Sequence, residues 1–382
     1  MTDYPLNRFK GLETPFYYYD LNLLKATINE LKNNIKGYPY KVHYAVKANA
    51  NPRILHEIKE AGLSIDCVSG GEIVAALAAG FKGDSIAFAG VGKTDSEINL
   101  GLNHDIFCFN AESVPELEVI NEIAAAKGKV ANVAIRVNPN IDAHTHKYIT
   151  TGLNENKFGI NLEQLSDVVE HANSMSDINL IGLHFHIGSQ ILDNEPFKML
   201  CDRINEIQDQ FEAKGIKFKI INVGGGLGIN YSIPTKEPVP AFKQYFDTFK
   251  QNLRLREGQE LHFELGRSIV GQCGSLITRV LYVKNGTSKN FVIVDAGMTD
   301  LIRPALYQAH HAIENISSSS AETEKYDIVG PICESSDKFA SDEELPVTHR
   351  GDFLVMHSAG AYGEIMAMRY NCRKLPGSYF SE

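Results

Sequence analysis

Lys47 closes the run Val42-His43-Tyr44-Ala45-Val46, whose branched and aromatic residues alternate with smaller ones and predict a short buried strand. Asn51-Pro52 then opens a helical pattern with proline near its first position. A lysine where such a strand runs out stands where α/β folds place their chemistry. Its amine can form a Schiff base if burial or a neighbouring charge depresses its pKa, and a surface lysine at a strand edge is the plainer alternative. Polar groups recur at equivalent points downstream: Asp66-Cys67-Val68-Ser69, Arg136-Val137-Asn138, His184-Phe185-His186-Ile187-Gly188-Ser189, Gly224-Gly225-Gly226 and Glu264-Leu265-Gly266-Arg267.

The triple glycine lets backbone N–H groups approach an anion without interference from Cβ atoms. Arg267 and the Ser189 hydroxyl could add hydrogen bonds to the same phosphate, while a flexible turn is the plainer reading of the glycines. His184 and His186, spaced i, i+2, share a face if both lie on a strand. No carboxylate or cysteine completes a metal set beside them, and no metal is expected. A histidine at a barrel mouth can lie flat against a cofactor ring, which suits His186. Glu264 is the kind of carboxylate that pairs with a protonated ring nitrogen, or else with a loop arginine. Further on, Asp295–Tyr307 carries Arg303 and Tyr307, Gly330-Pro331-Ile332-Cys333-Glu334 sets a thiol beside a carboxylate, and Ala359-Gly360-Ala361-Tyr362-Gly363 presents a phenol. A thiol in a polar loop has no packing reason to be there.

Eight strand candidates separated by helical patterns lie between residues 42 and 264: Val42–Val46, Ser64–Cys67, Ser85–Ala89, Asp105–Phe109, Val133–Val137, Leu180–His186, Lys219–Val223 and Glu260–Glu264. Strands alternating with helices imply parallel pairing, and eight of them over this length is the size of a (β/α)8 barrel, typically ~250 residues. A doubly wound sheet is the alternative, but no G-x-G-x-x-G follows the first strand. After Gly266 come β-segments at Ile269–Val283, Phe291–Asp295, Tyr326–Val329 and Asp352–Met356. The expected fold is α/β: a TIM-type barrel over 22–268, with an all-β domain formed by 1–21 and 269–382. Ser317–Glu324 reads as the loop most prone to move.

A chain of 382 residues with 43% hydrophobic and 22% charged residues fits two soluble domains. The net charge of −10, without a Lys/Arg run, disfavours nucleic acid and anionic membranes as partners. No apolar segment approaches the ~20 residues that span a bilayer, and the N-terminus has no signal-peptide pattern. Six cysteines without a C-x-x-C pair point to the reducing cytoplasm.

Tyr44-Ala45-Val46-Lys47-Ala48-Asn49, His186-Ile187-Gly188-Ser189, the three glycines, Glu264–Arg267, Gly330–Cys333 and Gly360-Ala361-Tyr362, in this order, resemble the pyridoxal-phosphate decarboxylases of the alanine-racemase-like fold. Thr145–Leu153, Asn156–Gly159, Gly182–Gln190 and Asp295–Tyr307 are similar to the branch acting on meso-2,6-diaminopimelate. The resemblance implies the barrel with its β-domain, and decarboxylation of that amino acid to L-lysine; relatives acting on ornithine, arginine or carboxynorspermidine, or a non-catalytic partner-binding paralogue, are the alternatives. By the same resemblance Lys47 would hold pyridoxal 5'-phosphate covalently, His186 would stack on its ring and Glu264 would meet its ring nitrogen. Asp66 and Arg136 would support that shell, and Ser189, Gly224, Gly225, Gly226 and Tyr362 would surround the phosphate. Arg267, Arg303, Tyr307, Glu334 and Tyr362 would hold substrate, with Arg267 shared with the phosphate and Cys333 the proton donor. The Cys333–Glu334 loop would reach a partner's barrel, making a homodimer with shared active sites. Leu265 stands where the family often has proline, and the flanking Glu264, Gly266 and Arg267 are retained.

Overall fold

The computed structural model describes residues 4–141 and 157–382, so the stretch Thr145–Leu153 and Asn156 lie outside the described residues. The chain divides into two compact units: 28–228 with 241–266, and 1–27 with 229–240 and 267–382. β1 (Phe16–Tyr19) belongs to the second unit.

The first unit is a parallel barrel of β2 (Tyr40–Ala45), β3 (Ser64–Cys67), β4 (Ile86–Phe88), β5 (Cys108–Ala111), β6 (Ala131–Asn138), β8 (Ile178–His184), β9 (Ile220–Asn222) and β10 (Glu260–Leu265), with β7 (Ile160–Asn161) appended to β6. Each barrel strand pairs with the next, and β10 pairs back onto β2 through Leu261↔Tyr40 to Leu265↔Tyr44, which closes the cylinder. Short strands suffice because both faces are covered, and their residues are accordingly buried. Several helices between them start on side-chain caps: Asn51 accepts from Arg53 N–H, Ser69 from Glu72 N–H and Ser113 from Glu116 N–H. Two shifted strand ends bear on the site. β2 stops at Ala45, and Val46-Lys47-Ala48 forms a 3-10 turn closed by Asn49 N–H on the Val46 carbonyl at 3.0 Å. β8 stops at His184, so the side-chain alternation of a strand does not carry through to His186.

In the second unit, β13 (Ile313–Asn315), β16 (Phe353–Met356), β11 (Gly274–Asn285), β12 (Asn290–Val294), β14 (Thr323–Val329) and β15 (Lys338–Pro346) lie in that order across one sheet. β1 pairs antiparallel with β11 and parallel with β17 (Gly377–Phe380), tying both ends of the chain to the same sheet. Phe9, Phe16, Tyr18, Ile277, Phe353 and Val355 form its buried cluster. Ile269 and Val270, expected in a strand, stand instead in the helical turn Arg267–Val270, which Gly271 N–H closes on the Arg267 carbonyl at 2.8 Å. Ser317–Glu324 is a bonded turn running into β14, with Ser318 N–H on Asn315 Oδ1 and the Ser318 hydroxyl on the Val347 carbonyl. Residues 229–240, which strand–helix alternation assigns to the barrel, group with this unit, where Ala312 N–H donates to the Tyr231 carbonyl at 3.2 Å. Among the described residues no helix is long and apolar enough to cross a membrane.

Gly182 on β8 lets the barrel close against β9: a Cβ there would lie 2.2 Å from the Ile220 carbonyl oxygen. Gly182→Ala should therefore lower unfolding stability by about 1–3 kcal/mol, read as a reduced urea midpoint at unchanged m-value. An unchanged midpoint contradicts this account of the closure.

Candidate active site

In the barrel unit the predicted residues sit at the C-terminal ends of the strands. Glu264, near the end of β10, is 8% exposed. Its Oε1 accepts from Asn110 Nδ2 at 3.0 Å and Asn222 Nδ2 at 2.7 Å, and its Oε2 meets His184 Nε2 at 3.0 Å. Burial by itself would raise this carboxyl, but His184, then Lys47 and His43, outweigh it and hold Glu264 well below the usual carboxylate range. It is a buried anion.

Asp66 on β3 is fully buried, and its Oδ2 lies 3.8 Å from Lys47 Nζ. Neither carboxyl oxygen has a hydrogen-bond partner among the described residues. Burial and the Glu264 charge push Asp66 well up, against the pull of Lys47. Two carboxyl groups in one barrel mouth are thus driven apart in acidity. The Lys47 side chain, in its 3-10 turn, is 39% exposed.

His186 follows β8 and is half-buried; Gly225 N–H donates to its Nδ1 at 3.2 Å. Burial, and then the charges of Lys47 and Arg136, push the imidazole well down, so it is neutral with its proton on Nε2. Gly224 N–H donates to Asn222 Oδ1 at 2.9 Å. Two of the three glycine N–H groups thus bond side chains, one at the end of β9 and one in the loop after β8. Their glycine character has a steric cause: a Cβ would stand 2.4 Å from the Phe185 carbonyl at Gly224, and 2.1 Å from the Glu264 carbonyl at Gly225. Ser189 is half-buried one turn further along the same loop.

Arg136 on β6 is engaged by a residue that strand-end reasoning missed. Its Nη1 donates to Glu112 Oε1 at 2.7 Å, Glu112 Oε2 accepts from Gly159 N–H at 2.9 Å, and the guanidinium lies 4.6 Å from the Phe158 ring centre. Asn110, Asn222 and His184 were likewise missed as partners of Glu264. Asn110 and Asn222 are asparagines inside otherwise apolar strands, where a buried amide demands bonds, and that was the available signal.

The β-unit gathers a separate set. Arg267 Nη1 donates to the Tyr231 hydroxyl at 2.6 Å, and its guanidinium lies 4.9 Å from the Tyr362 ring. Arg303 opens the helical turn Arg303–Tyr307, stands 4.7 Å from the Tyr231 ring and donates to His311 Nε2 at 2.7 Å. Tyr307, at the end of that turn, is half-buried. Cys333 and Glu334 lie on an exposed loop, where Cys333 N–H donates to Asn371 Oδ1 and Glu334 bonds the Tyr370 hydroxyl.

Beneath Glu264 in the barrel, His43 Nε2 and His262 Nδ1 share a hydrogen bond of 2.9 Å. Burial pushes His43 down from 6.5 to about 4. His43 is neutral when folded, whereas the unfolded chain takes up a proton below 6.5. Its contribution is therefore present above that pH and is lost as pH falls through about 4. The unfolding midpoint should drop across this window, and His43→Asn should flatten the drop; identical slopes contradict the assignment.

The family model for the pyridoxal-dependent decarboxylase, pyridoxal binding domain, matches residues 21–271. Diaminopimelate decarboxylase of Bacteroides thetaiotaomicron is 60% identical over 380 residues, covering 99% of this chain and 98% of that protein. The enzyme of the same name from Aquifex aeolicus is 42% identical over 361 residues, covering 94% and 84%. Among solved structures, diaminopimelate decarboxylase from Helicobacter pylori complexed with L-lysine superposes with a TM-score of 0.93 at 41% identity, covering 99% of this chain and 94% of that one.

Proposed function

The chain belongs to the pyridoxal-dependent decarboxylases, and on that footing we propose that it removes carbon dioxide from meso-2,6-diaminopimelate to give L-lysine. Its cofactor is pyridoxal 5'-phosphate. The observation that carries the reading is the barrel mouth, where an amine, a buried anion and an unbonded buried carboxyl converge: Lys47, Glu264 and Asp66. The group fits this chemistry. A cationic ring nitrogen is what a buried carboxylate held below its usual range favours, and the Asp66 oxygens await a donor.

When bound, pyridoxal phosphate accepts the electron pair of the breaking Cα–carboxylate bond. We assign its covalent attachment to Lys47, the ring nitrogen to Glu264, the ring face to His186 and the supporting shell to Asp66 and Arg136. Ser189, Gly224 to Gly226 and Tyr362 take the phosphate, with Arg267 shared between phosphate and substrate. Glu264, kept ionised by His184, Lys47 and His43 and bonded by two asparagines, would hold a proton on the ring nitrogen. The product is L-lysine, so the carboxylate leaves the D-configured centre and the L-centre keeps its own. Arg303 meets that distal carboxylate as a planar fork, Glu334 meets the distal ammonium, and Tyr307 lies with them. Cys333 delivers the one proton that Cα takes up.

We read the protein as a cytoplasmic homodimer in which the Cys333–Glu334 loop of each protomer completes the partner's barrel. The exposure of both residues supports the shared site, and six cysteines without a disulfide support the reducing compartment.

Carbon dioxide and lysine release with added pyridoxal phosphate tests the reading, with meso-diaminopimelate run beside ornithine, arginine and carboxynorspermidine. Turnover of diaminopimelate alone is expected; turnover of another amine overturns the assignment of Arg303 and Glu334. Lys47→Ala should abolish the cofactor's visible absorbance band. Cys333→Ala should keep that band and cut turnover by about 10²–10⁴. Loss of the band in Cys333→Ala would remove the thiol from the proton step.

A further inference from the structure

Arg303 is 5% exposed and forms no ion pair with a carboxylate among the described residues. Its Nη1 donates instead to His311 Nε2 at 2.7 Å. The other ring nitrogen, Nδ1, faces the His357 carbonyl oxygen at 2.8 Å. A carbonyl oxygen only accepts, so Nδ1 carries the proton and Nε2 offers its lone pair to the guanidinium. Burial first, and then the Arg303 charge, push this imidazole down to about 3. His311 therefore orients Arg303 without neutralising it.

Tyr231 contacts the same guanidinium on another side. Its ring stands 4.7 Å from Arg303 and edge-on to His311 at 5.1 Å, and its hydroxyl accepts from Arg267 at 2.6 Å. One tyrosine thus touches both arginines of the β-unit, using its ring for one and its oxygen for the other. A ring face attracts a cation without supplying a counter-charge, so Arg303 remains a buried, fully charged fork.

We infer that Tyr231 and His311 are positioning residues that hold Arg303 in place for a carboxylate remote from the reacting carbon, and so set the preference for a dicarboxylic diamino acid. The inference rests on the reading that Arg303 meets the distal carboxylate. Neither side chain enters the reaction. Each removes a degree of freedom from the guanidinium, so that little ordering is left to pay at binding. His311 fixes the plane of the fork and Tyr231 supports its face.

The test uses the cofactor-loaded enzyme, kcat and KM for meso-diaminopimelate, and the inhibition constant of D-lysine. D-lysine has the same reacting centre and chain but hydrogen in place of the distal carboxylate. His311→Leu should raise KM for diaminopimelate about tenfold or more while leaving D-lysine inhibition unmoved, and Tyr231→Leu, which also removes the bond to Arg267, should raise KM for diaminopimelate by more than it weakens D-lysine. His311→Gln, whose carboxamide oxygen can still accept from Arg303, should recover most of the loss. Equal weakening toward both compounds would mean general disruption and would overturn the inference, as would an unchanged KM. Arg303→Met separates the two levels. If it leaves KM for diaminopimelate unmoved, the underlying reading of Arg303 fails; if it raises KM and the leucine variants do not, the positioning role alone fails. Should a leucine variant lose the cofactor's visible band, Tyr231→Phe carries the comparison. It keeps the ring beside Arg303 and loses only the bond to Arg267, so KM for diaminopimelate should stay near the unmodified value, and a rise of tenfold or more would overturn the assignment to the ring.

Discussion

The barrel unit depends on one buried negative charge. An ionised carboxylate taken out of water costs several kcal/mol unless its oxygens are bonded. Glu264 on β10 finds its bonds on three other strands: Asn110 from β5, Asn222 from β9 and His184 from β8. Those contacts constrain register as well as charge. Side chains alternate with a period of two, so a one-residue slip of any of these strands would turn its amide or imidazole away from the barrel interior and strand the carboxylate. The β10–β2 pairing that closes the cylinder sets Glu264 opposite His43, so the anion also fixes where the neutral histidine pair lies.

The second constraint is steric. The loop after β9 presses its backbone against the loop after β8 and against β10, at distances that leave no room for a Cβ. Close approach is what lets Gly225 N–H reach His186 Nδ1, and that bond selects the ring tautomer. The glycines therefore act on the site through a histidine as much as through any anion. Arg136 shows the same division of labour: Glu112 and Phe158 hold it, and its charge pushes the His186 imidazole down.

The β-unit inverts the sign. Two buried guanidiniums, Arg267 and Arg303, are surrounded by tyrosine rings, a phenol and a neutral imidazole. Rings and lone pairs lower the cost of burying a cation without cancelling it.

The barrel was legible because its strands are short apolar runs punctuated by polar residues, and every expected barrel strand overlaps one in the structure. The misplaced boundaries share a cause. At Val46 and at Ile269 an apolar residue sits in a helical turn, where burial and not strand pairing selects it, and an apolar run alone does not distinguish the two. β15 was missed for the opposite reason: Lys338–Pro346 is an acidic edge strand with much of its length solvated, so it carries almost no apolar alternation. In the site, residues with chemistry of their own could be picked out one at a time, as Lys47, Glu264 and Arg303 were. Asn110, Asn222, Glu112, Tyr231 and His311 could not, because their role is to bond another side chain from a different segment. Asn110 and Glu264 are 154 positions apart, and only the closed barrel makes them neighbours. What sequence hides is thus the supporting half of each pair, since an amide or a carboxylate has no visible purpose until the charge it serves has been folded against it.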